Sequence, residues 1–212
     1  MSLNSDDPNH FANIYNRTMS NKEIRILDST LREGEQHPGV SFTNKQRIQI
    51  AWLLDSFGVN QIEISPVVSH DHFEATKAII KQGLKADILA HVRALKSDVE
   101  VAIDCNATWV ATYMGISDIH LSTKLKISRE EAKIRALEVA DFIKSHGLKS
   151  RFTMEDASRT DPLFLVEMCK EMNSRGIERI SIPDTVGIMR PQGMYNLVKM
   201  VYDSIDTKIS SL

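Results

Sequence analysis

The segment Ile24-Arg25-Ile26-Leu27-Asp28-Ser29-Thr30-Leu31-Arg32-Glu33-Gly34-Glu35-Gln36 runs from a short apolar stretch into a turn crowded with charge. Ile24–Leu27 reads as a strand, and the residues behind it hold a single glycine. A dinucleotide or Walker-type phosphate loop would place several glycines at this point, immediately before a helix. Their absence argues against a doubly wound nucleotide-binding sheet and for a barrel.

Outward from this segment, strand and helix signals alternate. Gln61–Ile64, Asp87–Ala90, Trp109–Met114, Ser150–Met154 and Arg179–Ile182 are further short, β-branched or apolar runs. Between them lie amphipathic stretches with recognisable ends. Thr43 or Asn44 caps Lys45–Phe57, in which Ile50, Leu53, Leu54 and Phe57 share the spacing of one buried face, and Gly58 stops it. Ser69 or His70 opens a helix through Lys81, and a short one follows from about Leu95 to Cys105. Ser128 with Glu131 forms a capping box for a helix that closes before Gly147. Asp161-Pro162 and Pro191 start the last two. Repeated βα units specify a parallel sheet covered by helices. The fold class is therefore α/β, a TIM (β/α)8-type barrel truncated after about six units, with a seventh strand starting at Lys208–Leu212. Residues 1–22 read as a polar N-terminal tail, and 23–212 as the partial barrel.

Composition narrows the function. The 212 residues carry 26 Lys+Arg against 28 Asp+Glu, a net charge of −2, which provides no field for a nucleic acid. With 42% hydrophobic residues the chain has enough apolar material for a core. No basic-then-apolar leader and no membrane-length apolar run occur in it. Cys105 and Cys169 make no metal or redox spacing and suit a reducing, cytoplasmic setting.

In a parallel α/β architecture chemistry sits at the carboxyl ends of strands. There the sequence offers Arg32 and Glu33 with Glu35 and Gln36, then His91 and Arg93, then Arg151, Thr153, Glu155 and Asp156, then Asp184 and Thr185. A salt-bridged turn explains the first group as well as a site does, since structural ion networks imitate sites. Cations and hydroxyls recurring at one end of several strands favour a cavity for a small anion, with Arg as a forked carboxylate clamp.

The run Asp28–Gln36, with Gly39-Val-Ser-Phe-Thr43 behind it, resembles the signature of the homocitrate, 2-isopropylmalate and citramalate synthase family of metal-dependent barrels. Ile62-Glu63, Ile119-His-Leu121 with Lys124-Leu-Lys126, Glu155-Asp156 with Arg159, and Pro183-Asp-Thr-Val-Gly187 support it. The resemblance covers Ile24 to the end and implies a Claisen-type condensation of acetyl-CoA with a 2-oxo acid, followed by thioester hydrolysis. It implies Glu33 as a ligand of a divalent metal (zinc, magnesium or manganese) and Arg32 as the catalytic arginine. Substrate-binding roles fall to Gln36, His91, Arg151, Thr153, Glu155 and Thr185. His91 and Arg151 match residues that bind the second carboxylate in homocitrate synthases, and an arginine buried against an isopropyl group would be a costly unpaired charge. The expected substrate is therefore 2-oxoglutarate, although Pro183 and the Ile119-His-Leu block look more like the isopropylmalate group.

The family's His-x-His metal pair belongs to a seventh strand beyond Leu212, so this chain by itself is expected to hold metal weakly and to turn over little. His70-Asp71-His72 is better explained as the polar start of a helix. Aldol cleavage of an acyl-CoA, or anion binding without catalysis, remain alternatives at this point. Open sheet edges lead to an expected homo-oligomer, a dimer.

Overall fold

The computed structural model describes residues 24–212; the expected tail, 1–22, lies outside the described residues. Six parallel strands in the order β1 to β6 form one curved sheet, a half-barrel: β1 (Leu27–Asp28), β2 (Gln61–Ile64), β3 (Asp87–Arg93), β4 (Trp109–Gly115), β5 (Lys149–Glu155) and β6 (Arg179–Ser181). The helices between them are α1 (Asn44–Phe57), α2 (His70–Lys81), α3 (Lys96–Asp104), α4 (Arg129–Ser145), α5 (Pro162–Ser174) and α6 (Pro191–Tyr202). A seventh strand is present only as one parallel bridge, Arg179 to Ser211.

Alternation along each strand builds the two faces. Ala90, Val92, Val110, Met114, Phe152, Met154 and Ile180 point to the helices and are buried with their apolar sides. The residues between them point inward, where Leu89, Trp109 and Ala111 pack together with Leu27 against them. Side chains cross this interior: Arg179 on β6 donates from Nη1 to Gln61 Oε1 on β2.

Local signals set the helix starts. Thr43 and Gln46 form a reciprocal capping box on α1, and the side chains of Ser69, Ser128 and Asp161 cap α2, α4 and α5. Gly58, at φ 95°, ends α1 in the left-handed conformation glycine adopts without penalty.

Two expectations need correction. The first strand spans Leu27–Asp28 rather than Ile24–Leu27, because parallel pairing begins only at Leu27 opposite Gln61; Ile24 and Ile26 are exposed. On α1 the inward stripe is Arg47 and Ala51, buried, with Ile50 and Leu54 half-buried, while Leu53 and Phe57 face outward at 52% and 82% exposure. The cause is Arg47, which Glu35 draws into the interior and which thereby fixes the rotation of the helix.

Candidate active site

The loop after β1 winds around one carbonyl: Ser29 O accepts the backbone N–H groups of Arg32, Glu33 and Gly34. Thr30 N–H donates to Asp28 Oδ1, closing a local turn. Glu35 points away from the strand ends. It accepts from Arg47, from Phe42 N–H at 3.0 Å and lies 3.5 Å from His72 Nε2, which anchors the loop to α1 and α2. His72 is thus held at a helix start by Glu35, Arg47 and Ser69, and His70 stacks near Phe73. The His70-Asp71-His72 run is a helix-start feature, as its sequence context suggests.

With Glu35 turned back, Arg32, Glu33 and Gln36 face a cleft of about 560 Å³ at the carboxyl ends of the strands. The same cleft is lined by His91, Arg151, Thr153, Glu155 and Thr185, so every residue to which the family resemblance gives a role lies on its wall, whereas Glu35, Arg93, Asp156 and Asp184 do not.

At its centre is a residue to which the sequence reading assigned no role. Glu63, on β2, is fully buried; its Oε2 accepts from Arg32 Nε at 2.7 Å and Ser29 Oγ at 3.0 Å, and Oε1 accepts from Arg151 Nη2. Burial opposes its ionisation, but the charges of Arg151, His91 and Arg32 and the Arg32 hydrogen bond outweigh it and bring the pKa down to about 2. The available signal was the alternation Gln61-Ile-Glu-Ile64, which sends both polar residues to the barrel interior.

His91 stacks on Tyr113 with centroids 4.7 Å apart and rings 7° from parallel. Burial, opposed by Glu63 and reinforced by Arg32 and Arg151, lowers its pKa to about 4, so at neutral pH it is an uncharged imidazole. On β5, Arg151 Nε and Thr153 Oγ1 are buried without a partner among the described residues. Thr185 Oγ1 accepts the Asp156 N–H at 2.9 Å, which leaves its own proton free to donate. Asp156 itself is structural, buried between Arg159 and Ser117. Asp184 accepts Met189 N–H within its own turn, and Arg93 pairs with Asp98 outside the cleft.

A smaller side pocket of about 200 Å³ adjoins the cleft. Tyr113, Lys124 and Glu155 line both.

The donor set does not by itself fit a divalent metal. Among the described residues no three His, Cys, Asp or Glu side chains come together as a metal-holding group. Glu33, the expected ligand, is exposed and ion-paired with Arg32. Both oxygens of Glu63 are engaged by Ser29 and two arginines, and both oxygens of Glu155 face Lys124. A catalytic metal site wants about three protein ligands. Cys105 and Cys169 are buried free thiols whose pKa values burial pushes up to about 11 and about 12. No helix among the described residues is long and apolar enough to cross a membrane.

The HMGL-like family matches residues 23–211. The chain is 48% identical over 174 residues to the homocitrate synthase of Sulfurisphaera tokodaii, a match that covers 80% of this chain and 38% of that protein. It is 45% identical over 188 residues to the "Probable 2-isopropylmalate synthase" of Methanopyrus kandleri, covering 88% of this chain and 38% of the relative. The chain therefore spans less than half the length of these curated relatives. Among solved structures, the hydroxymethylglutaryl-CoA lyase of Pseudomonas aeruginosa superposes with a TM-score of 0.77 at 19% identity, covering 89% of this chain and 67% of that one. The HMG-CoA lyase of Bacillus subtilis gives 0.76 at 18%, with coverages of 89% and 67%. At that identity the likeness is one of fold.

Proposed function

This chain belongs to the HMGL-like family, and from that premise we propose that it forms the oxo-acid half of a synthase that condenses acetyl-CoA with 2-oxoglutarate to give homocitrate. In that reaction the methyl carbon of acetyl-CoA, having lost a proton, bonds to the ketone carbon of the oxo acid. The ketone oxygen takes up the negative charge and then a proton, and water cleaves the thioester to release free CoA.

The observation that carries the reading is the pair of unpartnered buried donors on β5, Arg151 Nε and Thr153 Oγ1, beside an uncharged His91. Buried donors without acceptors are costly, and a second carboxylate on the substrate would satisfy them. At the other end of the cleft, Arg32 is held by Glu63 and is our candidate for stabilising the charge that develops on the ketone oxygen. The free hydroxyl proton of Thr185 and the amide of Gln36, both on the cleft wall, support roles in holding the carboxylate next to the ketone. Glu33 is the one cleft carboxylate with room to help hold a metal. This chain's residues alone do not complete such a site, so no step is assigned to it, and we expect the 212-residue chain to bind substrate and turn over little. The acetyl-CoA arm is assigned to the side pocket, whose walls mix Leu95, Leu125 and Ile127 with Arg93 and Arg135. The two buried thiols fit a cytoplasmic, reducing setting.

A 2-isopropylmalate reading draws support from Pro183, which lines the cleft next to Thr185. Calorimetric titration with 2-oxoglutarate and 2-oxoisovalerate separates the two. On our reading 2-oxoglutarate binds more tightly, and Arg151→Ala weakens it by about 2–5 kcal/mol while leaving 2-oxoisovalerate much less affected. Equal losses for both acids would sink the distal-carboxylate role. Release of free thiol from acetyl-CoA distinguishes a synthase from an anion-binding barrel.

A further inference from the structure

We propose that Lys124 and Glu155 form an ion-pair gate between the cleft and the side pocket, and that this gate must open for an acyl thioester to occupy both. The inference rests on the synthase reading above and adds to it a residue pair that controls entry of the long substrate.

The two cavities meet at a shared wall of three side chains, Tyr113, Lys124 and Glu155. Tyr113 is fixed by its stack on His91. Across the wall Lys124 Nζ lies 3.2 Å from each Glu155 oxygen, and His120 Nδ1 lies 3.8 Å from Glu155 Oε2. Glu155 is rooted in the last residue of β5, while Lys124 is half exposed and belongs to a different kind of element.

That element is a π-helical turn, His120–Leu125, closed by Lys126 in the left-handed conformation at φ 56°. Wide turns of this type are rare and concentrate at functional sites. Two hydroxyls also bond back to carbonyls at its start, Ser122 Oγ donating to Asp118 O at 2.6 Å and Thr123 Oγ1 to Ile119 O at 2.5 Å. Side-chain back-bonding of this sort competes with regular helix and loosens it. Lys124 is thus a latch on the less regular side of the wall, and Glu155 the fixed catch.

The pairing also has an electrostatic consequence. An unmasked Glu155 would stand in the neck between two spaces meant for anions; Lys124 neutralises it when the gate is shut.

The test measures binding of CoA, with 2-oxoglutarate alongside, to the whole chain and to Lys124→Gln, Glu155→Gln, the double variant and Lys124→Arg. A half-exposed ion pair is worth up to about fivefold in an equilibrium, and that sets the scale. Releasing the latch with Glu155→Gln should tighten CoA about two- to fivefold. Unmasking the carboxylate with Lys124→Gln should weaken CoA by a similar factor, the double variant should return to within about twofold of wild type, and Lys124→Arg should keep the wild-type value. If the Lys124→Gln loss persists undiminished in the Glu155→Gln background, Lys124 touches the ligand directly and the gate is overturned. Equal CoA affinity in all five proteins, with 2-oxoglutarate still bound, overturns the gate alone. Failure of every protein to bind either ligand overturns the functional reading and the gate with it.

Discussion

Arg151 on β5 reaches across the barrel interior to the buried carboxylate of Glu63 on β2, 88 positions away in sequence. Arg32, from the loop after β1, closes on the other oxygen of the same group. One carboxylate therefore fixes both guanidinium groups, and links three strands that local signals cannot connect.

Removing that carboxylate should be expensive. Glu63→Ala leaves the Arg151 charge buried and unpaired, and is expected to lower stability by about 3–5 kcal/mol. Glu63→Gln preserves the shape and one acceptor and should cost clearly less. Urea unfolding midpoints, with the slope checked for constancy, would test the ranking. Equal stability of the alanine variant and wild type would mean that the network is ornamental.

The same cluster fixes the acid limb of stability. The His91 pKa is lowered from 6.5 to about 4, so the folded state excludes a proton that the unfolded chain accepts; its contribution is whole above pH 6.5 and fades as pH falls towards 4. The Glu63 pKa is lowered from 4.5 to about 2, so its contribution is whole above pH 4.5 and is lost as pH falls towards 2. Each shift corresponds to about 3 kcal/mol. Melting temperature should therefore begin to drop below about pH 6.5. His91→Gln should abolish the upper part of that slope and weaken the lower, since the His91 charge helps depress Glu63, and a flat profile between pH 7 and pH 5 would contradict the assignment.

Much of this architecture is legible in the sequence because caps and glycine stops are local. β2 lies where its apolar run says, and α2, α4 and α5 begin at Ser69, Ser128 and Asp161 as their caps require. The cleft wall is legible too, since position after a strand is a topological property. What local patterning cannot supply is the partner of a buried charge. Arg47 reads as a solvent-facing helix residue until Glu35, twelve positions earlier, turns it inward and rotates Leu53 and Phe57 out. Glu63 reads as a lone acid in an apolar strand until two distant arginines converge on it. The Lys124 turn carries no periodicity that announces a π-helix, and the two cavities meeting there depend on side-chain placement alone.

Gly115, at the end of β4, is required by packing rather than by backbone freedom. A Cβ there would lie 2.2 Å from His120 Nδ1 and 2.9 Å from His120 Cβ, at the root of a side chain that cannot simply swing aside. Gly115→Ala should displace the start of the π-helical turn and cost about 1–3 kcal/mol, the usual range for overpacking. His120→Ala in the same chain should recover most of that loss. Thermal unfolding of the single and double variants is the check, and an additive double variant would show that the clash is not the cause.

We expect self-association through the exposed apolar residues of α1 and the edge of β1 left unpaired among the described residues. β1 is two residues long and pairs only with β2, while the far side of β6 meets only Ser211 among the described residues. On α1, Trp52, Leu53 and Phe57 are exposed, as are Ile24 and Ile26 ahead of β1. Large exposed apolar groups on one helix favour contact with another surface. A dimer through this side is expected in sedimentation at micromolar concentration, and Phe57→Glu, which places a charge on the most exposed aromatic of α1, should shift it to monomer with the fold retained. A wild-type chain that sediments as a monomer throughout would remove the apolar face as an interface and leave Phe57→Glu without effect on mass.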